Sequence, residues 1–453
     1  MTAQEPSHRG VTVPRLVIVS FLSLVVAGCG STPGPTITPA AGTLAGSPVA
    51  SPVSTALPSR APSSSPSPSV APTFYSSTIG GMPVVEVPLD GARMTQVADT
   101  PGVQPGGPPT GPFLYRATYP RAHPASLFVA DAGGGSERRV AIPTLASEGI
   151  EDTLVEDSWI VLLVSHRVGS IVPIPAAPCS GDEGEPIAWR ILAAPLGIDG
   201  LPSAAWKVLD QGIARRAFRI PSAGEYCDGP LVPPIALAAG QVAYGVESPG
   251  AIRASTVLVR SVASGAIVRR YDVSNEVYQV TLSANAVAWS ETTNELVDGR
   301  RPDWRLMTVP IASETPHVVS VGITAGPHHL FPPHLLLDGV AVVASLDLSG
   351  VWGTVVRVDG THIQVLYAGT TRRDCEAAGV ELGLVVLSCD DSGVGQAWIA
   401  LWSASGGLRA LGVPHRTGGG NAILLNDPWM LYTGYDVAQQ QTWLVALPVS
   451  SLR

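Results

Sequence analysis

The chain has 453 residues, 45% hydrophobic, 6% aromatic and 14% charged, with 48 Gly and 42 Pro. So many turn formers and so little charge exclude a long helical bundle and point to turns and extended segments. The 27 basic against 36 acidic residues give a formal charge of -9, with no Lys-rich tract to neutralise a phosphate backbone, which argues against a nucleic-acid partner.

Residues 1–15 carry Arg9 and Arg15, and Leu16 to Val26 is an apolar run too short to cross a bilayer comfortably. The run ends in Val26-Ala27-Gly28-Cys29. This resembles the bacterial lipobox, in which an aliphatic residue and two small residues precede a cysteine whose thiol receives a diacylglycerol. The resemblance implies a signal peptide over 1–28, lipidation of Cys29 and an extracytoplasmic chain held on the cell membrane by that lipid. Removing Arg9, Arg15 and Glu5 makes the mature chain more acidic by one charge. Residues 29–73 hold the lipidated cysteine and then almost only Gly, Ser, Thr, Pro and Ala, with Arg60 as the single charge. Such a segment cannot build a core, and its prolines favour an extended, semi-rigid tether.

Residues 74–453 read as an all-β domain. Pairs of short apolar segments recur along it. The first members are Phe113 to Ala117, Trp159 to Val164, Val242 to Val246, Val287 to Ser290, Val340 to Ala344, Leu384 to Ser388 and Trp429 to Thr433. The second members begin at Ala125, Trp189, Thr256, Trp304, Trp352, Trp398 and Trp443. Several second members lead through a small turn such as Ser264-Gly265 or Gly406-Gly407 into a third short strand, and most first members follow an apolar segment such as Leu335 to Asp338. Four-stranded antiparallel units repeating every ~45–55 residues are the signature of a β-propeller. The expected architecture has seven blades, six or eight being the alternatives. The last unit ends near Arg453 without an outer strand, and Pro83 to Leu89 is expected to supply it from the N-terminal side and close the ring.

The layout resembles the TolB-like and WD40-like bacterial propellers, with the aspartate that often follows the third strand standing at Asp131 and Asp359. The resemblance implies a fold and not an activity. Trp159, Trp289, Trp304, Trp398, Trp429 and Trp443 recur at matching positions, which reads as packing between blades.

The long connections, at 166–186, 291–303, 211–234 and 322–334, all fall at one end of such a domain, the expected binding face. Four cysteines remain beside Cys29, and the pairing that needs least rearrangement is Cys179 with Cys227 and Cys375 with Cys389. Candidate binding residues on this face are His328, His329, His334, Arg372, Arg373, Asp390, Asp391, His415 and Arg416. No cofactor is expected. Zinc at the histidines, or calcium at Asp182, Glu183 and Glu185 or at Asp390 and Asp391, is the weaker alternative, because neither spacing follows a metal motif.

No nucleophile elbow, phosphate loop, zinc helix or dinucleotide fingerprint is present. Lys207 is the only lysine, so Schiff-base chemistry has one possible amine. The sequence favours a binding module for an envelope protein or polymer. The alternatives are a propeller hydrolase or lyase using acids and histidines of the same face, or a structural envelope component.

Overall fold

The computed structural model describes residues 78–79, 81–87, 92–97, 113–117, 125–131, 137–156, 158–168, 172–173, 183–184, 187–214, 232–248, 254–297, 301–319, 334–348, 351–370, 372–391, 396–413, 423–426, 428–436 and 441–453. All belong to one compact unit, Ser69–Arg453. The signal peptide, Cys29, the tether, Cys179 and Cys227 lie outside the described residues. Among the described residues, no helix is long and apolar enough to cross a membrane.

Three strands precede the repeats: β1 (Thr78–Ile79), β2 (Met82–Glu86) and β3 (Arg93–Val97). The first sheet holds β4 (Phe113–Ala117), β5 (Leu127–Asp131) and β6 (Arg138–Val140). The second begins with β7 (Gly149–Glu156) and β8 (Trp159–Arg167), detours through a hairpin of β9 (Val172–Pro173) and β10 (Glu183–Gly184), and continues with β11 (Ile187–Pro195) and β12 (Lys207–Ala214). The third is β13 (Ile235–Ala238), β14 (Gln241–Glu247), β15 (Ser255–Ser261) and β16 (Ile267–Val273). The fourth is β17 (Val277–Leu282), β18 (Ala286–Val297), β19 (Arg301–Pro310) and β20 (His317–Val318). The fifth is β21 (His334–Asp338), β22 (Ala341–Leu348), β23 (Val351–Asp359) and β24 (His362–Tyr367). The sixth is β25 (Arg373–Glu381), β26 (Leu384–Asp391), β27 (Gln396–Ser403) and β28 (Gly407–Gly412). The last joins β29 (Ile423–Asn426), β30 (Trp429–Asp436) and β31 (Gln441–Pro448) to β3. Successive strands within the repeats pair antiparallel, as short turns between them require.

The first strands of successive sheets touch in order, β7 to β13, then β17, β21, β25 and β29. They form a hub from which the sheets radiate, the arrangement of a β-propeller. The second strands explain why the sequence reads as it does. Trp159 to Val164 is continuously apolar because β8 is buried on both faces. Ile160, Leu162 and Val164 enter the core shared with the first sheet, whereas Val161 and Leu163 enter the core shared with the third. Each further apolar core likewise spans two neighbouring sheets. Three of the tryptophans follow this rule: Trp398 and Trp443 lie in such cores, and Trp289 stacks on Tyr271 with ring centroids 5.8 Å apart. Gly200 shows why one turn needs glycine. It has φ 74°, its carbonyl accepts the Tyr115 hydroxyl at 2.6 Å, and a Cβ there would come within 2.7 Å of Phe113.

Two expectations change. The strand paired antiparallel with β31 is Arg93–Val97, not Pro83 to Leu89. The earlier segment forms β2 instead and lies parallel to β28, with Val84, Val85 and Glu86 opposite Ala410, Leu411 and Gly412. The segment expected as a long loop at 291–303 is largely a continuation of β18 and β19, whose pairing runs on to Val297 opposite Arg301 after a register shift.

Candidate functional site

In each four-stranded repeat the first strand starts, and the second ends, at the end of the hub that carries the long connections. Two groups of polar side chains gather there.

The first is on the fifth and sixth sheets. β25 and β26 pair Arg373 opposite Asp391, Asp374 opposite Asp390 and Cys375 opposite Cys389. Cys375 and Cys389 are disulfide-bonded, with Cα atoms 4.1 Å apart, and both are buried. Cys375 thus sits inside the inner strand. Arg373 Nε donates to Asp391 Oδ2 at 2.7 Å. Asp374 faces a like charge across the ladder; burial and then the Asp390 charge push its carboxyl above the ordinary range. His334 opens β21, and its Nδ1 is 3.5 Å from Glu376 Oε1 on the neighbouring hub strand. Arg372 precedes β25, where its backbone N–H donates to Thr370 Oγ1 at 3.3 Å. The structure therefore brings together His334, Arg373, Asp390 and Asp391, adds Asp374 and Glu376, and holds Arg372 beside them. His328, His329, His415 and Arg416 lie outside the described residues, as do Asp182 and Glu185, and Glu183 lies in the β9–β10 hairpin.

The second group, on the second sheet, was not singled out from the sequence. The Glu148 carboxylate is fully buried and accepts from Arg190 Nε at 2.7 Å and Nη2 at 2.5 Å, and from the Leu145 backbone N–H at 2.7 Å. His166 Nδ1 stands 3.9 Å from its Oε1. A register shift between Ile150 and Asp152 makes Glu151 an extra residue in β7. Ser165 donates its hydroxyl to Glu151 Oε1 at 2.5 Å. The adjacent Asp152 is pushed up to about 6, mainly by burial; the Thr153 N–H opposes the shift and the Glu151 charge adds to it. The only signal in the sequence is the acidic pair Glu151-Asp152 near the start of a strand, while the side-chain partners come from 14 to 42 residues away.

Among the described residues, no group of three or more His, Cys, Asp or Glu is arranged to hold a metal ion. The Lys207 ammonium donates to the Ala263 carbonyl at 2.6 Å and sits 5.3 Å from the Trp159 ring centroid.

No family model matches the chain, and no curated protein is similar to it. Similar solved structures include the β-propeller domain of the Trilobed protease from Pyrococcus furiosus, at 9% identity and TM-score 0.49, covering 78% of this chain and 95% of that one. A prolyl endopeptidase is similar at 8% identity and TM-score 0.46, covering 80% of this chain and 49% of its own. TolB from Acinetobacter baumannii is similar at 10% identity and TM-score 0.33, with 74% and 80% covered. Each is a likeness of chain path at very low identity.

Proposed function

We propose that this chain is an extracytoplasmic lipoprotein, anchored through Cys29, whose β-propeller is a binding module for an envelope protein or polymer. In this reading the propeller has seven blades, and β3 closes the ring by completing the blade of β29 to β31. The anchor rests on Val26-Ala27-Gly28-Cys29 at the end of an apolar run. The observation that carries the binding role is the charged rim at one end of the hub, where His334, Arg373, Glu376, Asp390 and Asp391 offer charges of both signs. Such a rim selects a partner by complementary charge and hydrogen bonding.

The test places a photo-crosslinking residue at Asp390 in intact cells and compares the captured species with those of a Cys29→Ala form. Capture of one reproducible protein or glycan, lost in the mislocalised form, is the expected result. Identical capture in both forms removes the reading.

One observation favours the hydrolase or lyase alternative. Burial pushes the Asp152 carboxyl up to about 6, which gives it the proton-holding capacity of a general acid. Turnover of a glycan or peptide panel that disappears in Asp152→Asn would replace the binding reading with this one.

A further inference from the structure

A strand edge that ends in open backbone donors and acceptors is a template for another strand, and proteins guard such edges with charge or cover them. In the second to fifth sheets the outer strand, β12, β16, β20 or β24, is the last in its sheet among the described residues. The sixth sheet differs, because β2 lies on β28 and β1 lies on β2. Charge alone does not explain this. β28 reads Gly-Leu-Arg-Ala-Leu-Gly, with one charged residue, but β24 reads His-Ile-Gln-Val-Leu-Tyr, has no Asp, Glu, Lys or Arg, and is the last strand of its sheet among the described residues. The β28 charge, Arg409, turns to the C-terminal segment, where its Nη2 donates to the Leu452 carbonyl at 2.5 Å. What sets the β28 edge apart is the apolar cores on its two sides, which residues 78–87 enter.

The covering segment has the design of an added peptide. It runs parallel to β28, the one parallel pairing among the described strands, so no hairpin joins it to the strand it covers. Its side chains alternate. Met82 is buried and Val84 half-buried, while Pro83 and Val85 are exposed. Ile79 and Met82 enter the core between the fifth and sixth sheets, and Val87 enters the core between the sixth and the last. Only three residue pairs join β2 to β28. The side-chain anchors therefore carry most of the attachment, as in strand-addition complexes, where backbone bonds give register and pockets give selectivity.

We propose that the outer edge of β28, with the flanking apolar pockets, is a peptide-acceptor site that the chain fills with its own residues 78–87. An extended peptide with apolar residues at the spacing of Met82, Val84 and Val87 competes for it. Its β1–β2 turn lies beside the charged rim, where a Cβ at Gly81 would come within 3.9 Å of Arg373 Nη1, but the proposal does not depend on the reading given to that rim.

The test uses the full chain with Ile79→Asp and Met82→Asp together, and Met82→Ala as a milder variant. The probe is a fluorescent synthetic peptide of residues 77–88. Amide exchange at Gly407–Gly412 is expected to rise by about tenfold or more in the double variant while β26 and β27 stay protected and melting stays cooperative. The variant is expected to bind the peptide and the wild type to bind it more weakly, with Met82→Ala in between. Exchange that rises equally in β26, β27 and β28 would show that residues 78–87 are an inseparable part of the core. Peptide binding that is absent from all forms, or equal in all, also overturns the proposal.

Discussion

The rims of the second and sixth sheets meet the same problem, acidic side chains at the end of the hub that carries the long connections, in different ways. On the second sheet Glu148 is taken fully out of water and matched by a bidentate Arg190. On the sixth, Asp391 is matched by Arg373, whose side chain is 45% exposed, and a disulfide crosses the same two strands next to it. Burial of the carboxylate is common to both, Asp391 being 9% exposed, but the half-exposed Arg373 is screened by solvent, which makes the second arrangement the less costly to break. An exposed guanidinium such as Arg373 can turn to a partner's charge, and a buried carboxylate such as Glu148 cannot.

The sharpest way to break this contrast is Arg190→Ala, which strands a buried carboxylate. Its expected cost is about 3–5 kcal/mol in denaturant unfolding, against about 1–2 kcal/mol for Arg373→Ala, whose exposed guanidinium is screened although Asp391 is buried. Equal losses would remove the distinction. Next is replacement of both Cys375 and Cys389 by Ser. The closed loop spans 14 residues, and its loss is expected to cost about 3 kcal/mol on a chain-entropy basis, read as a lower melting temperature without loss of the fold.

A smaller and opposite effect is expected at Asp152. Its folded value of about 6 lies above the ordinary 3.8, so between these values the native state holds a proton that the unfolded state has lost. Stability contributed by the protonated form is complete below the unfolded value and is lost as pH rises through the folded one. Asp152→Asn is expected to stabilise the domain by about 1–2 kcal/mol at pH 7 and to flatten its stability profile between roughly pH 4 and 6. Unfolding midpoints measured across that range check both. The smallest effect is expected from Asp390→Asn, which relieves the like charge opposite Asp374 and should stabilise by a few tenths of a kcal/mol, about the scale of a cross-strand pair.

The propeller repeat was legible because strands buried on both faces print continuous apolar runs, as at Trp159 to Val164 and Leu384 to Leu387. The ends of the domain were less so. Pro83 to Leu89 has the stronger apolar pattern and Arg93–Val97 the weaker, yet the second pairs with β31, because pairing on an outer edge is set by what the partner strand leaves open. At the sixth-sheet rim, His334, Arg373, Asp390 and Asp391 are candidates from the sequence because they fall at the long-connection end, and they stand at the ends of β21, β25 and β26. The second-sheet group was not, since Glu148, Ser165, His166 and Arg190 come together only through strand pairing and a register shift that no local pattern announces.

The hairpin at Gly81 has a mechanical consequence. A pull applied upstream of Thr78 loads β1 first, and the two pairs that hold β1 to β2 separate in turn. Only then does the load reach the three pairs of β2 on β28, and beyond them the five of β3 on β31. The segment therefore works as a graded fuse: small tugs are spent in the outermost turns, and the strand that completes the last sheet is the last to feel them.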